Sequence, residues 1–241
     1  MSMINNLDKT KLMAIVPAAG IGTRMNSPIA KQYIKLGSLT VLEYTLDKLL
    51  TFPLIEKIIV VLHPNDSYFQ NLSVSNHKKI HITYGGENRS DSVLAGLKLL
   101  DNHDWVLVHD AARPCILHSD IKKLVNQVLI DEQNGGILAT KVTDTIKRSS
   151  IDKNNYIAET CDRSLLWAAA TPQMFKVQEL RDNLSRAITL GLTITDEASA
   201  MELAGKFPKL IECRRDNIKI TRQEDLALAA FFLKEQGYYQ E

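Results

Sequence analysis

The sequence predicts an α/β protein built on a doubly wound, mostly parallel sheet flanked by helices. Three observations carry that prediction. The runs "LMAIV" (12–16), "IEKIIVVL" (55–62) and "DWVLVHD" (104–110) are short, rich in β-branched residues and apolar on both faces, as strands of a buried parallel sheet are. Segments with a helical apolar period lie between them. Strand and helix alternate along the chain, the pattern of βαβ winding.

The elements follow in order. After the first strand comes "PAAGIGTRM" (17–25), a loop crowded with small residues. "TVLEYTLDKLLTF" (40–52) places Leu42, Leu46, Leu49 and Leu50 on one helical face. "KIHITYGG" reads as a strand ending in a Gly-Gly turn, so His77 and His81 share no helical face. "NRSDSVLAGLKLL" (88–100) opens with Asn and Ser as candidate caps and carries Val93, Leu94, Leu97 and Leu100. "SDIKKLVNQVLID" (119–131) repeats the scheme, with Ser119 as its N-cap. "KVTDTIKRSS" (141–150) and "NYIAETCDR" (155–163) alternate apolar and polar residues around a polar turn, which reads as a long hairpin. An isolated hairpin is marginal in water. It either folds onto its own domain or packs as an arm on a partner subunit, and the pattern admits both. Helices over 176–191 and 195–205 end in glycine. "PKLIECR" and "NIKIT" read as strands. A closing helix over 222–236 takes Thr221 as N-cap, with Glu224 placed for a capping box.

At 241 residues the chain suits one domain (1–241), with 141–163 as an arm. Apolar residues make up 45% and charged residues 24%, so a sizeable core is affordable and no disordered class is indicated. The net charge of +1 gives no field that would recruit nucleic acid or an anionic membrane. Cys115, Cys161 and Cys213 are widely separated and form neither a zinc pattern nor a disulfide framework. No apolar run approaches the roughly 20 residues of a membrane span. The first eleven residues lack the apolar stretch of a signal peptide. A cytoplasmic protein is expected.

The glycine loop is not a dinucleotide fingerprint. Met25 occupies the third glycine position, and no acidic residue closes the second strand, which runs into "HPND". No Walker lysine follows. Backbone N–H groups of such a loop can still face a polyphosphate, and Arg24 and Lys31 supply two cations beside it. Asp110 in "VHDAARP" stands at a strand's carboxyl end, where open α/β sheets bind ligands, and is placed to hold a hydroxyl or a magnesium ion. Arg113 follows three residues later. "GGENRSDSV" brings Arg89 and Ser92 to a helix start, although a plain cap would read the same way. Arg163 lies at the base of the hairpin, and Lys219 lies in a short strand with Asp216 close by. His109 reads as structural. No Gly-x-Ser-x-Gly elbow is present. Cations, carboxylates and backbone remain, the equipment of phosphate transfer without a covalent intermediate.

Taken together, "PAAGIGTRM", "AKQY", "GGENRSDSV", "VHDAARP", "TDT", "DRSLLWAAATPQ", "TDEAS" and "DNIKIT" resemble the 2-C-methyl-D-erythritol 4-phosphate cytidylyltransferase family, in that order and over nearly the whole chain. One departure stands out: Ala30 replaces the family's usual proline before Lys-Gln-Tyr. The resemblance implies a Rossmann-like nucleotidyltransferase fold with a protruding β-hairpin arm. It implies transfer from CTP to 2-C-methyl-D-erythritol 4-phosphate, with pyrophosphate released, on the non-mevalonate route to isoprenoids. By the same resemblance, Arg24 and Lys31 would stabilise the α-phosphate and the leaving pyrophosphate. Ala18, Ala19, Gly20, Gly22, Gly86, Arg89 and Ser92 would form the nucleotide pocket. Asp110, Arg113, Thr195, Lys219 and Arg163 would hold the polyol phosphate; Asp110 would also bind the nucleotide near its ribose, and Asp110 and Asp216 would serve a magnesium ion. Hairpins of a homodimer would clasp, carrying Thr145 and Arg163 to the neighbour's site. A ribitol phosphate or other polyol-phosphate cytidylyltransferase is the alternative within the class. A non-catalytic nucleotide-binding module is the alternative outside it.

Overall fold

A computed structural model describes residues 11–20, 29–131, 134–152 and 155–241. Its centre is β1 (Leu12–Pro17), buried on both sides. Leu12, Ala14 and Val16 face one apolar cluster, and Met13 and Ile15 face the other. This two-residue alternation, with both faces covered, is why the run reads as uninterrupted hydrophobicity. β1 pairs in parallel with β4 (Ile55–Leu62) and β6 (Trp105–Val108). β4 pairs in parallel with β5 (Ile80–Tyr84) at the sheet edge. On the far side β10 (Trp167–Lys176) runs antiparallel to β6 and to β7 (Gly136–Lys141), and β11 (Lys209–Glu212) closes that edge in parallel with β7. The order is β11-β7-β10-β6-β1-β4-β5. The sheet is mostly parallel, as expected, with one strand reversed.

Helices cover both faces. On one side lie α1 (Val41–Leu50) and α3 (His118–Asp131), where Leu42, Leu46 and Leu49 meet Ile121, Leu124 and Val128. On the other lie α2 (Arg89–Leu97), α4 (Val177–Thr189) and α5 (Glu197–Leu203), contributing Val93, Leu97, Leu180, Leu184 and Met201. Each such side chain, fully buried, is worth about 1.5–3 kcal/mol relative to exposure. A third cluster forms where α6 (Glu224–Glu235) packs Leu226, Ala229 and Leu233 against Val41, Tyr44 and Cys115. It is sealed by residues 236–240. Tyr239 stacks on Tyr44, the Lys48 ammonium sits over the Tyr238 ring, and the Gln240 carbonyl accepts from the Ser38 amide. Ser38 belongs to the tight turn between β2 (Lys35–Leu36) and β3 (Leu39–Thr40).

Several boundaries differ from expectation. α3 begins at His118, so Ser119 lies within its first turn rather than capping it. At the start of α6 it is Asp225, not Glu224, whose carboxylate accepts from Thr221 N, Thr221 Oγ1 and Arg222 N, and the helix begins only at Glu224. "NIKIT" joins no ladder; Ile220 N donates to Ala112 O, and the segment serves as a brace beneath the cleft. The hairpin is real but shorter than read, with β8 (Lys147–Ser149) paired antiparallel to β9 (Ile157–Thr160) as a separate two-stranded sheet. β10 escaped the sequence reading because Pro172 argues against a central strand.

Candidate active site

The chain winds outward from β1 through β4 to β5, then returns to β6 on the opposite side of β1. Ligands of open α/β sheets bind at such a reversal, beyond the strands' carboxyl ends. A cleft of about 360 Å3 lies there. Three strand ends build it: residues 17–20 at the end of β1, residues 86–89 from β5 into the start of α2, and residues 110–112 after β6, with Lys31, Gln32, Ser92, Lys219 and Thr221 completing the wall.

The small residues have local reasons. A Cβ on Gly85 would fall 2.3 Å from Ser92 Oγ and 2.8 Å from Ala19 Cβ, and one on Gly86 would fall 2.6 Å from Asp91 Cβ. The Gly-Gly turn therefore lets α2 start close against the first loop. Asn88 caps α2 in a box with Asp91, whose carboxylate accepts from Asn88 N at 3.0 Å. The first loop is itself pinned from below: Gln32 Nε2 donates to Ala18 O at 2.7 Å and to Gly20 O at 3.0 Å.

Charge gathers opposite that wall. The Asp110 carboxylate is buried and faces three cations. Arg89 Nε lies 3.2 Å from Oδ1, while Lys219 Nζ at 2.9 Å and Arg113 Nε at 3.4 Å share Oδ2. Burial alone would raise the Asp110 pKa, but the Arg89, Lys219 and Arg113 charges outweigh it and hold the carboxyl far below its usual range. Lys31 Nζ donates to Ile220 O at 3.0 Å, which brings it beside the residue next to Lys219. Arg89 is clasped by Glu197 through both Nη groups, at 2.6 and 3.1 Å. Against the cost of burial, Glu197 and Asp110 keep the guanidinium pKa above its ordinary value. Below the floor, His109 is fully buried, and desolvation pushes its pKa down to about 4.

The sequence profile of the 2-C-methyl-D-erythritol 4-phosphate cytidylyltransferase (IspD) family matches residues 12–235. The chain belongs to this family. It is 53% identical over 228 residues to the cytidylyltransferase of Shewanella frigidimarina, covering 93% of this chain and 97% of that one. It is 51% identical to the Escherichia fergusonii enzyme, over 91% of this chain and 92% of that one. Among solved structures it resembles the Francisella tularensis IspD crystal structure with a TM-score of 0.81 and 38% identity, covering 93% of this chain and 100% of that one. As an IspD family member the chain is a nucleotidyltransferase.

Most of the site residues expected of an IspD protein converge. Ala18, Ala19, Gly20, Lys31, Gly86, Arg89, Ser92, Asp110 and Lys219 line one cleft. Arg113 adjoins it through Asp110 and the Asn217 carbonyl, to which it donates at 2.7 Å. Thr195 lines a neighbouring hollow that shares Asn88 and Arg89 with the cleft. Gly22 and Arg24 lie outside the described residues. Thr145 and Arg163 are exposed on the arm and do not line the cleft, and Arg163 donates to the Thr143 carbonyl. Asp216 does not line the cleft. Its carboxylate is held bidentate by Arg214, at 2.7–3.0 Å. Among the described residues no cluster of three or more His, Cys, Asp or Glu side chains could hold a metal. Gln32, Glu197 and Thr171 were not singled out in the sequence. Each lies within a quoted motif ("AKQY", "TDEAS", "AAATPQ"), but only the tertiary contacts assign it a part.

Proposed function

We propose that this cleft transfers the cytidylyl group of CTP to 2-C-methyl-D-erythritol 4-phosphate, giving 4-diphosphocytidyl-2-C-methyl-D-erythritol and pyrophosphate for isoprenoid synthesis. The observation that carries the reading is the division of one cleft into a small, backbone-lined wall (Ala18, Ala19, Gly86) and a cationic wall (Lys31, Lys219) set around Asp110. The first wall suits a pyrimidine nucleoside pressed close to backbone. The second suits phosphates.

In the transfer, a phosphate oxygen of the polyol phosphate attacks the α-phosphorus in line. A P–O bond forms there, the bridging bond to the β-phosphate breaks, and its electron pair leaves with pyrophosphate. The attacking oxygen is already anionic at neutral pH, so no general base is required, and neutral His109 beneath the floor is left a positioning part. The protein's work is to bring two anions together, align them and neutralise the crowded transition state. Lys31 and Arg24 serve the α-phosphate and the leaving group. Lys219, Arg113 and Thr195 hold the acceptor, with Asp110 fixing the directions of Lys219 and Arg113.

A magnesium ion would be held with the triphosphate, and Asp110 and Asp216 are the carboxylates that would serve it, each sharing its oxygens with the cations now paired to it. Such an ion supplies charge neutralisation across the phosphate oxygens. A homodimer is the reading that the arm's exposed apolar side chains support: Ile151, Tyr156, Ile157 and Leu165 are 97, 68, 65 and 83% exposed, and Thr145 and Arg163, exposed in the same segment, would reach a neighbour's cleft. The cytoplasm suits three free cysteines and a structure in which no described helix is long and apolar enough to cross a membrane.

Product identification tests the reading. CTP with magnesium is offered 2-C-methyl-D-erythritol 4-phosphate or ribitol phosphate. The methylerythritol diphosphocytidyl product is expected. Preference for ribitol phosphate, or CTP binding without product, overturns it.

A further inference from the structure

Arg89 borders both the cleft and the neighbouring hollow. An arginine on a phosphate-binding wall ordinarily offers its guanidinium fork to the anion. Here the fork is already occupied. Nη1 and Nη2 meet the two carboxylate oxygens of Glu197, and Nε meets Asp110. Glu197 is only 1% exposed, in the first turn of α5. That turn cannot easily retreat, because the Asp196 carboxylate caps it and Gln173 both accepts from Ala198 N at 2.9 Å and donates to Asp196 at 2.8 Å.

We propose that Glu197 is a positioning residue for cytidylyl transfer, one that withdraws Arg89 from phosphate binding and leaves phosphates to Lys31, Lys219 and Arg113. The proposal rests on the cytidylyltransferase reading of the cleft. Its logic is geometric. Arg89 lines the same cleft as the small residues that would receive the nucleoside, next in the chain to Asn88 and three residues after Gly86. A guanidinium free there would seat a triphosphate in reverse, or retain pyrophosphate after the reaction. Deleting the arginine would be no remedy, because its Nε holds Asp110 Oδ1 and so leaves Oδ2 toward Lys219 and Arg113. A buried bidentate carboxylate keeps the arginine's positioning contact and cancels its attraction for anions.

The test compares wild type, Glu197→Gln and the double variant Arg89→Gln/Glu197→Gln, each checked for folding by thermal melting. Pyrophosphate binding is measured by calorimetry and turnover by steady-state kinetics. In Glu197→Gln, pyrophosphate should bind about fivefold tighter and kcat should fall about tenfold, while the KM for CTP changes by less than about threefold. The double variant should return pyrophosphate affinity to the wild-type value, because the gain comes from Arg89. Should Glu197→Gln fail to fold, Glu197→Asp carries the test. Its shorter carboxylate keeps the charge but spans the fork poorly, so a smaller tightening is expected. Pyrophosphate affinity and kcat unchanged in a folded variant overturn the proposal, as does tightening that persists without Arg89. If wild type forms no cytidylyl product yet the pyrophosphate shift appears, the reaction assignment fails while the withdrawal of Arg89 from anions stands.

Discussion

Thr171 Oγ1 lies 3.0 Å from His109 Nδ1 beneath the cleft. The Arg113 carbonyl, which can only accept, lies 3.1 Å from His109 Nε2 and takes its proton. Neutral His109 therefore offers Nδ1 as an acceptor, and the Thr171 hydroxyl donates to it while accepting from the Asp110 amide at 3.0 Å. One hydroxyl thus ties the imidazole to the backbone of the carboxylate that anchors three cations. Thr171→Val keeps the shape but strands the Asp110 amide and Nδ1. It should cost about 2–4 kcal/mol in urea unfolding and lower kcat/KM, with Thr171→Ser restoring both.

Acid sensitivity follows from the same floor. Burial lowers the His109 pKa from 6.5 to about 4. Between those values the unfolded chain binds a proton that the folded chain does not, so stability falls as pH drops from about 6.5 toward 4. The contribution reaches about 3 kcal/mol at the lower end. Asp110, whose folded pKa is depressed, adds stability that is present above its unfolded value of 3.8 and lost below it. Urea midpoints measured across pH 4–7 should slope accordingly, and His109→Gln should flatten that slope.

Lys31→Ala should reduce kcat by about 10²–10³, the scale of losing one preorganised charge donor, while melting near the wild-type temperature. Arg24→Ala should do the same. Near-normal turnover in both variants would remove the phosphate-transfer assignment.

Gly37 adopts φ +65°, and a Cβ there would fall 2.0 Å from the Gln240 carbonyl. Gly37→Ala should therefore destabilise by about 2–3 kcal/mol, through left-handed strain and displacement of the 236–240 strap. Removing residues 238–241 from the wild type should cost a similar amount, since Lys48 loses the Tyr238 ring and Tyr44 loses Tyr239. Calorimetric melting would compare the two, and a double change should be less than additive.

Much of the sheet was legible because its signal is local. The run 55–62 coincides with β4, and the leucines of 40–52 line the buried face of α1. The first loop, the Gly-Gly turn and Asp110 were legible because each follows directly on a strand end. What escaped depends on residues remote in the chain. β10 hides behind an alanine run and Pro172. Glu197 reaches Arg89 across the sheet's C-terminal edge, and nothing in "TDEAS" announces that contact. Nor does the sequence announce that Arg214, two residues before Asp216, pairs with its carboxylate. Ala30 packs against the core cluster at the foot of the Lys31–Tyr33 turn, and its backbone there is extended enough to have suited proline.

The register break in β10 has a consequence for how this chain tolerates changes of length. Ala169 lies opposite Ala139 and Gln173 opposite Ile137, so four residues advance on β10 while two advance on β7. Thr171 sits within the surplus, where its carbonyl accepts from Asn217 Nδ2 and its hydroxyl is aimed at His109 rather than into the regular pleat. Insertions and deletions are usually absorbed at loop tips. Here, inside the sheet, deleting one residue from 170–172 would realign the strand and turn the hydroxyl to the opposite face. A one-residue gap within that three-residue window would read as a loss of catalysis with the seven-strand order intact.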